Sequence, residues 1–384
     1  MNVLIDATGV TKSKAGVGVY AKNLIHELVG LHASLHLFVA AQDDDPDLDY
    51  SGQPNVTMIW VSSKLFRKLP LRILLEQVGI PFLVLKYRID VVHSLHYTFP
   101  LMHFRAKQVV TVHDMTFFSM PEVHITLKAF YFRLFIRASL SRADSLIFVS
   151  HSAMQDFSSR LGLPSGFSTV IHHGKSEAFN PSPDPDDVVR VRDKYGLPQE
   201  FILYVGTIEP RKNLTRLVSA FASVAQNYPD LSLVIAGMKW RMYDQLLEEV
   251  YKLNLHSRVI FPGFVAEEDK ALLISSAKVF VYPSLYEGFG IPVLEALACG
   301  VPTVTSNTSA LPEVAGNAAL MVDPNSTIEI SRAIEELLSD SSLRLRLRDA
   351  SIHHAAQFTW QKTAVSTLKV YTEVMSEKPD AKSG

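Results

Sequence analysis

Short aliphatic and β-branched runs recur along the chain, and longer helix-like stretches separate them. The runs Val3–Asp6, Leu35–Val39, Thr57–Val61, Val91–His93, Val109–Val112 and Leu146–Val149 read as one series of strands. A second series follows at Phe201–Val205, Leu231–Ile235, Val259–Phe261, Val279–Tyr282, Thr303–Thr305 and Leu320–Val322. Alternation of strand and helix predicts a parallel sheet covered on both faces, here twice over, in an α/β chain of two domains. Between the series, Asn180–Gln199 carries four prolines and a cluster of aspartates around one short helical stretch, a composition suited to a linker. The expected division is therefore 1–179, a linker at 180–199, and 200–360. A last helical segment, Gln361–Met375, follows a break near Phe358–Trp360, and periodicity does not say which domain it joins.

Composition adds exclusions. A chain of 384 residues with 47% hydrophobic and 20% charged residues has enough apolar material for two cores, which excludes a disordered chain or a small stapled scaffold. Thirty-seven Lys and Arg against 39 Asp and Glu leave no global basic field for a nucleic-acid backbone, so any phosphate chemistry must be local. Cys299 is the only cysteine; it rules out an internal disulfide and a multi-thiolate metal site, and fits a reducing cytoplasm. The start MNVLIDATGV lacks the features of a secretory leader, and no apolar run approaches the ~20 residues of a spanning helix. The expectation is a cytoplasmic protein not anchored by a span.

Ligands of such sheets bind beyond the carboxyl ends of the strands, so the candidates are residues just after strands, expected to face one another across a cleft. Ala15-Gly16-Val17-Gly18-Val19-Tyr20-Ala21 contains the glycine pattern that lets amides approach a pyrophosphate at a helix start. Nine residues separate it from the first strand, which disfavours a nicotinamide site; glycines that merely permit a tight loop are the alternative. Gly206 to Asn213 places Arg211 and Lys212 at the start of the helix Leu214–Gln226, where cations are unfavourable unless an anion compensates. That pair reads as a diphosphate clamp, against the alternative of solvated loop charges. In Pro283–Ala296, Gly288 and Gly290 open a helix whose amides point outward at Phe289, Gly290 and Ile291, while Glu287 and Glu295 lie eight residues apart. Carboxylates beside free amides suit a ligand with several hydroxyls flanking an anion, although an ordinary helix with favourable N-terminal acids has the same look. His113, at the end of a strand, is a candidate proton donor or acceptor or a packing residue, with His93 and His96 near an earlier strand end. Asp43-Asp44-Asp45-Pro46-Asp47 reads as a solvated acidic turn rather than a divalent-metal site.

Taken together, Gly16-Val17-Gly18, His113-Asp114, Gly206-Thr207 with Arg211-Lys212-Asn213, Glu287 and Glu295 around Gly288-Phe289-Gly290, and Phe358-Thr359-Trp360 resemble the family 4 glycosyltransferases nearly from end to end. The E-x7-E segment combined with Arg211-Lys212 is the most specific part. The resemblance implies the GT-B architecture: two Rossmann-like domains facing across a cleft, an acceptor-binding first domain, a nucleotide-sugar-binding second domain, and a terminal helix, 361–384, packing back on the first. It implies that Glu295 holds the ribose hydroxyls, Arg211 and Lys212 the diphosphate, and Glu287 with the amides of Phe289 to Ile291 the transferred sugar. By the same resemblance His113 contacts that sugar, and Gly16 to Gly18 approach the diphosphate, with Gly206 part of the donor site. Many relatives have two adjacent glycines where this chain has Ala15-Gly16, which makes the loop less pliable.

The resemblance further implies retaining transfer with no metal and no cofactor, the nucleotide sugar serving as co-substrate. The pattern around His113 and Arg211 is most similar to bacterial mannosyl- and deoxyhexosyltransferases of surface polysaccharide assembly, which makes GDP-mannose the first expectation and a saccharide or polyprenyl-linked saccharide the acceptor. UDP-linked hexoses, a Rossmann oxidoreductase using Gly16, Gly18 and Ala21, and a non-catalytic nucleotide-sugar-binding subunit are the competing readings. Lys64–Arg88 and Lys128–Arg142 mix basic and apolar residues, consistent with contact at the inner face of the plasma membrane or with helices covering a core.

Overall fold

The structure, a computed structural model, describes residues 1–10, 16–31, 35–102, 104–120, 126–239 and 242–376. It divides into two compact units: Met1–Gly174 with Trp360–Gly384, and Lys175–Thr359.

The first unit holds β1 (Asn2–Asp6), β2 (His36–Gln42), β3 (Val56–Val61), β4 (Val91–Ser94), β5 (Lys107–Val112), β6 (Ser145–Phe148) and β7 (Phe167–Val170) in one sheet of order β3-β2-β1-β4-β5-β6-β7. Every pairing is parallel. Residues 91–94 and 145–148 are buried throughout, as expected where helices cover both faces and strands need no polar alternation. Six of these strands follow the apolar runs of the sequence. β7 does not stand out there: it is an edge strand, exposed or half-buried along its length, and Ser168 and Thr169 interrupt its apolar character.

The second unit holds β8 (Phe201–Val205), β9 (Ser232–Ala236), β10 (Val259–Gly263), β11 (Val279–Tyr282), β12 (Thr303–Ser306) and β13 (Leu320–Val322), again all parallel, in the order β10-β9-β8-β11-β12-β13. The helix Leu214–Asn227 buries Leu214, Leu217, Val218, Phe221, Val224 and Ala225, a three-and-four spacing that turns one stripe onto this sheet. Within the segment read as a linker, Pro185–Lys194 forms a helix capped by Asp184 and held to the second unit. Arg190, Lys194 and Tyr195 converge on the buried carboxylate of Asp269 at 3.3, 2.6 and 2.9 Å.

The terminal helix, Trp360–Ser376, belongs to the first unit. Its buried residues Trp360, Ala364, Val370, Tyr371 and Val374 join the core formed by β1, β2 and the helix Val17–Leu31. A polar contact fixes it as well: the Tyr371 hydroxyl lies 2.6 Å from His93 Nδ1, and His93 Nε2 lies 2.8 Å from Thr111 Oγ1. His93 is thus a core residue rather than a member of a site. Burial pushes its pKa down to about 3, with His113 acting in the same sense, so it remains neutral and offers one donor and one acceptor to the two hydroxyls. Tyr371→Phe should leave a buried ring nitrogen without its partner and lower the stability of the first unit by about 1–3 kcal/mol, measured by urea unfolding.

Candidate functional site

Both sheets change winding direction at one place, between β1 and β4 in the first and between β8 and β11 in the second. A parallel sheet opens a crevice at the carboxyl ends of the strands at such a point. In the second unit the loops after β8 and β11 fill it with the charged residues singled out in the sequence.

The loop after β8 begins at Gly206. A Cβ on Gly237, after β9, would fall 1.9 Å from the Gly206 carbonyl oxygen, so the close approach of these two loops requires glycine there. The chain then makes a short 3-10 turn, Pro210–Lys212, and Asn213 adopts the left-handed conformation at φ 62° before the helix Leu214–Asn227. The Asn213 amide donates to the carbonyls of Pro283 and Pro324 at 3.0 and 2.6 Å, and Leu285 N donates to the Arg211 carbonyl at 2.8 Å. These bonds fasten the loop after β8 to the loop after β11.

Arg211 and Lys212 close on Glu287 from two sides. Arg211 Nη1 lies 2.5 Å from Glu287 Oε2 and 2.8 Å from the Tyr286 carbonyl, and its Nη2 lies 2.7 Å from Glu209. Lys212 Nζ donates to Glu287 Oε1 at 2.6 Å and to the Tyr282 hydroxyl at 2.7 Å, and Ser284 Oγ donates to the same carboxylate oxygen at 2.7 Å. Burial alone would raise the pKa of Glu287, but the two cations and their hydrogen bonds outweigh it and hold the carboxyl at about 2. Burial and the neighbouring Arg211 lower that of Lys212, against the pull of Glu287 and Glu209. The two cations are matched by two carboxylates, Glu287 and Glu209, so the geometry of the cluster is set before any ligand binds.

After β11, Gly290 takes φ 108°, and a Cβ there would meet Leu311 Cδ2 at 2.6 Å. This turn aims the chain into the helix Ile291–Ala298, with Pro292 in its first turn. Among the described residues, the amides of Gly290 and Ile291 donate to no acceptor, as first-turn amides do, while Phe289 is buried with its ring 6.2 Å from that of Phe358. Glu295 lies one turn further in, buried, and accepts from Lys270 Nζ at 2.7 Å. Burial raises its pKa to about 6, and Lys270 opposes that rise. Lys270 is a site residue that the sequence reading missed. It sits on the helix Glu267–Ser275, far from any motif, and only packing brings it to Glu295. Tyr282 and Ser284 were missed as well, although both lie in the strand end and loop already under suspicion.

In the first unit, residues 11–15, including Ala15 of the glycine loop, lie outside the described residues. Gly16 has φ 47°, and Val17 and Gly18 begin the helix Val17–Leu31. His113 follows β5, is buried, and uses Nε2 to donate to the Leu95 carbonyl at 2.9 Å. Its ring meets Tyr20 edge-on at 5.0 Å between centroids, which couples it to the helix opened by the glycine loop. Burial lowers its pKa, so the ring is neutral with Nδ1 as its acceptor. The acidic turn is internally committed: Asp43 accepts from Ser63 N at 2.8 Å, and Asp44 pairs with Arg67.

Comparison with known proteins identifies the family and the fold. The family described as "Glycosyltransferase Family 4" matches residues 15–176, and that described as "Glycosyl transferases group 1" matches residues 166–354. The chain is similar to "O-antigen chain mannosyltransferase B" of Escherichia coli, with 29% identity over 97% of this chain and 99% of that protein. Among solved structures it resembles sucrose-phosphate synthase from Thermosynechococcus elongatus, with TM-score 0.78, 21% identity and coverage of 98% and 99% of the two chains. It also resembles Anabaena Alr3699/HepE in complex with UDP-glucose, with TM-score 0.77, 18% identity and coverage of 97% and 100%. At these identities the two structures establish the fold alone.

The raised pKa of Glu295 has a sign that can be measured. The folded chain holds this proton more tightly than the unfolded one, so the group's contribution to stability is full below pH 4.5 and is lost as pH rises through about 6. The loss amounts to about 2 kcal/mol. Glu295→Gln should flatten this part of the pH–stability profile in urea titrations, and an unchanged fall in the variant would refute the assignment.

Proposed function

We propose, from the premise that the chain belongs to the family 4 glycosyltransferases of GT-B fold, that it moves mannose from GDP-mannose to a saccharide or lipid-linked saccharide acceptor with retention of configuration and without a metal. The buried cluster of Arg211, Lys212 and Glu287 carries this reading. Cleavage of the bond between the sugar C1 and the phosphate oxygen leaves negative charge on the diphosphate. Arg211, Lys212 and the first amides of the helix Ile291–Ala298 supply preorganised positive potential for it, the work a divalent ion does elsewhere. Glu287, kept ionised by its two cations, accepts from the hydroxyls of the transferred sugar, and Glu295 from those of the ribose. His113, neutral and with Nδ1 turned from its backbone bond, is the first unit's candidate for contact with the transferred sugar. The departing phosphate takes the proton of the attacking hydroxyl on the same face, so C1 exchanges one oxygen for another and no covalent enzyme intermediate is needed.

Mannose and surface-polysaccharide synthesis are favoured by the likeness to the O-antigen mannosyltransferase along almost the whole chain. UDP-hexose transfer is the nearest alternative. A panel of GDP- and UDP-sugars should show consumption of GDP-mannose, unaffected by a chelator, with the α linkage kept in the product by NMR. Lys212→Ala leaves Arg211 paired to Glu287, so it should fold with reduced stability and lose about 10²- to 10³-fold in kcat. Consumption of a UDP-hexose instead, activity restored only by magnesium or manganese, or full activity in the Lys212 variant would each overturn the corresponding part.

Peripheral contact with an anionic membrane is part of this reading. Among the described residues no helix is long and apolar enough to cross a membrane. Leu74, Val78, Phe82 and Leu85 are exposed at helical spacing along residues 69–87, beside Lys64, Lys68, Lys86 and Arg88. Apolar side chains flanked by cations suit the boundary of an acidic bilayer. Co-sedimentation with phosphatidylglycerol vesicles, weak on phosphatidylcholine and abolished by Val78→Ser with Phe82→Ser, is the expected result; equal sedimentation of the variant would exclude the surface.

A further inference from the structure

The first unit has a recess at its own switch point, between the carboxyl ends of β1 and β4, next to Val17 of the glycine loop. Asp6, Gly9, Val17, Arg72, His96 and Thr98 line it, and its interior is about the size of one water molecule. One wall is built with unusual care. Glu76, fully buried on a single π turn at Leu75–Gly79, accepts from Arg72 Nε at 2.7 Å, Thr98 Oγ1 at 2.9 Å and the Tyr131 hydroxyl at 2.9 Å. Three separate parts of the chain thereby orient one guanidinium, and irregular turns of this kind concentrate at functional places.

Arg72 uses only Nε for that bond. Its terminal nitrogens reach the loop after β1, where a Cβ on Gly9 would fall 2.4 Å from Nη2 and 3.2 Å from Nη1. What Gly9 contributes is space, since its φ is not in the left-handed region. Among the described residues neither terminal nitrogen has an acceptor. Also in the lining, at the end of β1, Asp6 takes both the amide and the hydroxyl of Thr8 on Oδ1, at 3.0 and 2.6 Å, and Oδ2 has no donor among the described residues. The recess therefore presents unused donors and an unused acceptor within a space about the size of one water molecule.

We propose that this recess binds a single hydroxyl of the acceptor saccharide, which accepts from Arg72 and donates to Asp6, making the two residues determinants of acceptor specificity. A hydroxyl does both at once, whereas a phosphate only accepts and would confront Asp6 and Glu76, two carboxylates against one guanidinium. A site built to hydrogen-bond a hydroxyl also rejects the analogue lacking it more strongly than an apolar pocket rejects a missing methylene. The proposal rests on the transfer reading above, and its test separates the two.

Gly9→Ala is the informative variant. The new methyl group displaces the planar guanidinium of Arg72, while Glu76 keeps its bonds from Thr98 and the Tyr131 hydroxyl. With α-linked mannobiose as acceptor, kcat/KM should fall about tenfold or more, while slow hydrolysis of GDP-mannose without acceptor is unchanged. In a series of monodeoxy mannobioses, one should lose the same factor with the unsubstituted chain and nothing further with Gly9→Ala. Arg72→Gln, checked for folding by circular dichroism, should repeat the pattern. Unaltered acceptor kinetics in Gly9→Ala, or deoxy penalties identical in both chains, would overturn the recess. Inhibition by mannose 6-phosphate that depends on Arg72 would also overturn it, in favour of an anion. Absence of any GDP-mannose hydrolysis or transfer by the unsubstituted chain would instead defeat the donor reading.

Discussion

The carboxylate of Glu287, enclosed by Arg211 and Lys212, is the interaction on which the arrangement of the second unit's site depends. A carboxylate or an ammonium buried alone would neutralise or unfold its surroundings, and neither is tolerated without the other. Together they stay ionised because each satisfies the other and because Tyr282 and Ser284 complete the hydrogen bonding. Geometry follows from this. The cations cannot stray into solvent, and the loops after β8 and β11 cannot separate without exposing a buried charge. Asn213 and Leu285 reinforce the same junction through backbone carbonyls, so the charged cluster and the backbone agree on one loop conformation.

A shared topological device stands behind both units. Each sheet reverses its winding next to its first strand in sequence, and the loops on either side of that reversal diverge enough to admit a ligand group. The second unit fills its crevice with cations and first-turn amides, which suits a diphosphate. The first lines its crevice with the guanidinium of Arg72 and the carboxylate of Asp6, which suits a neutral hydroxyl. Two copies of one fold are thereby differentiated by a handful of side chains at equivalent places, and function resides in those side chains rather than in the fold.

Much of this was legible in the sequence because parallel strands buried on both faces must be apolar along their length. Phe201–Val205 and Val279–Tyr282 could be read directly, and with them the residues that immediately follow, Arg211, Lys212 and Glu287. Edge strand β7 escaped because half-buried positions tolerate polar residues. Lys270 and Arg72 escaped for a different reason: each reaches its site from a helix distant in sequence, and no local spacing encodes such a meeting. His93 illustrates the opposite error. A histidine at a strand end resembles a site residue until packing shows it bonded to Tyr371 within a core. The segment at 180–199 has the proline and aspartate content of a connector, yet the triple contact on Asp269 secures its helix to the second unit.

The return of Trp360–Ser376 to the first unit has a consequence for biosynthesis. A ribosome releases the amino-terminal sheet long before it makes the helix that covers the core around Val3, Tyr20 and Leu24. The second unit, continuous in sequence, can close while its elder sibling still exposes apolar surface. Nascent chains of this protein thus carry a vulnerable, half-finished domain until Trp360–Ser376 has been made, and loss of that helix damages the part of the molecule that was translated first.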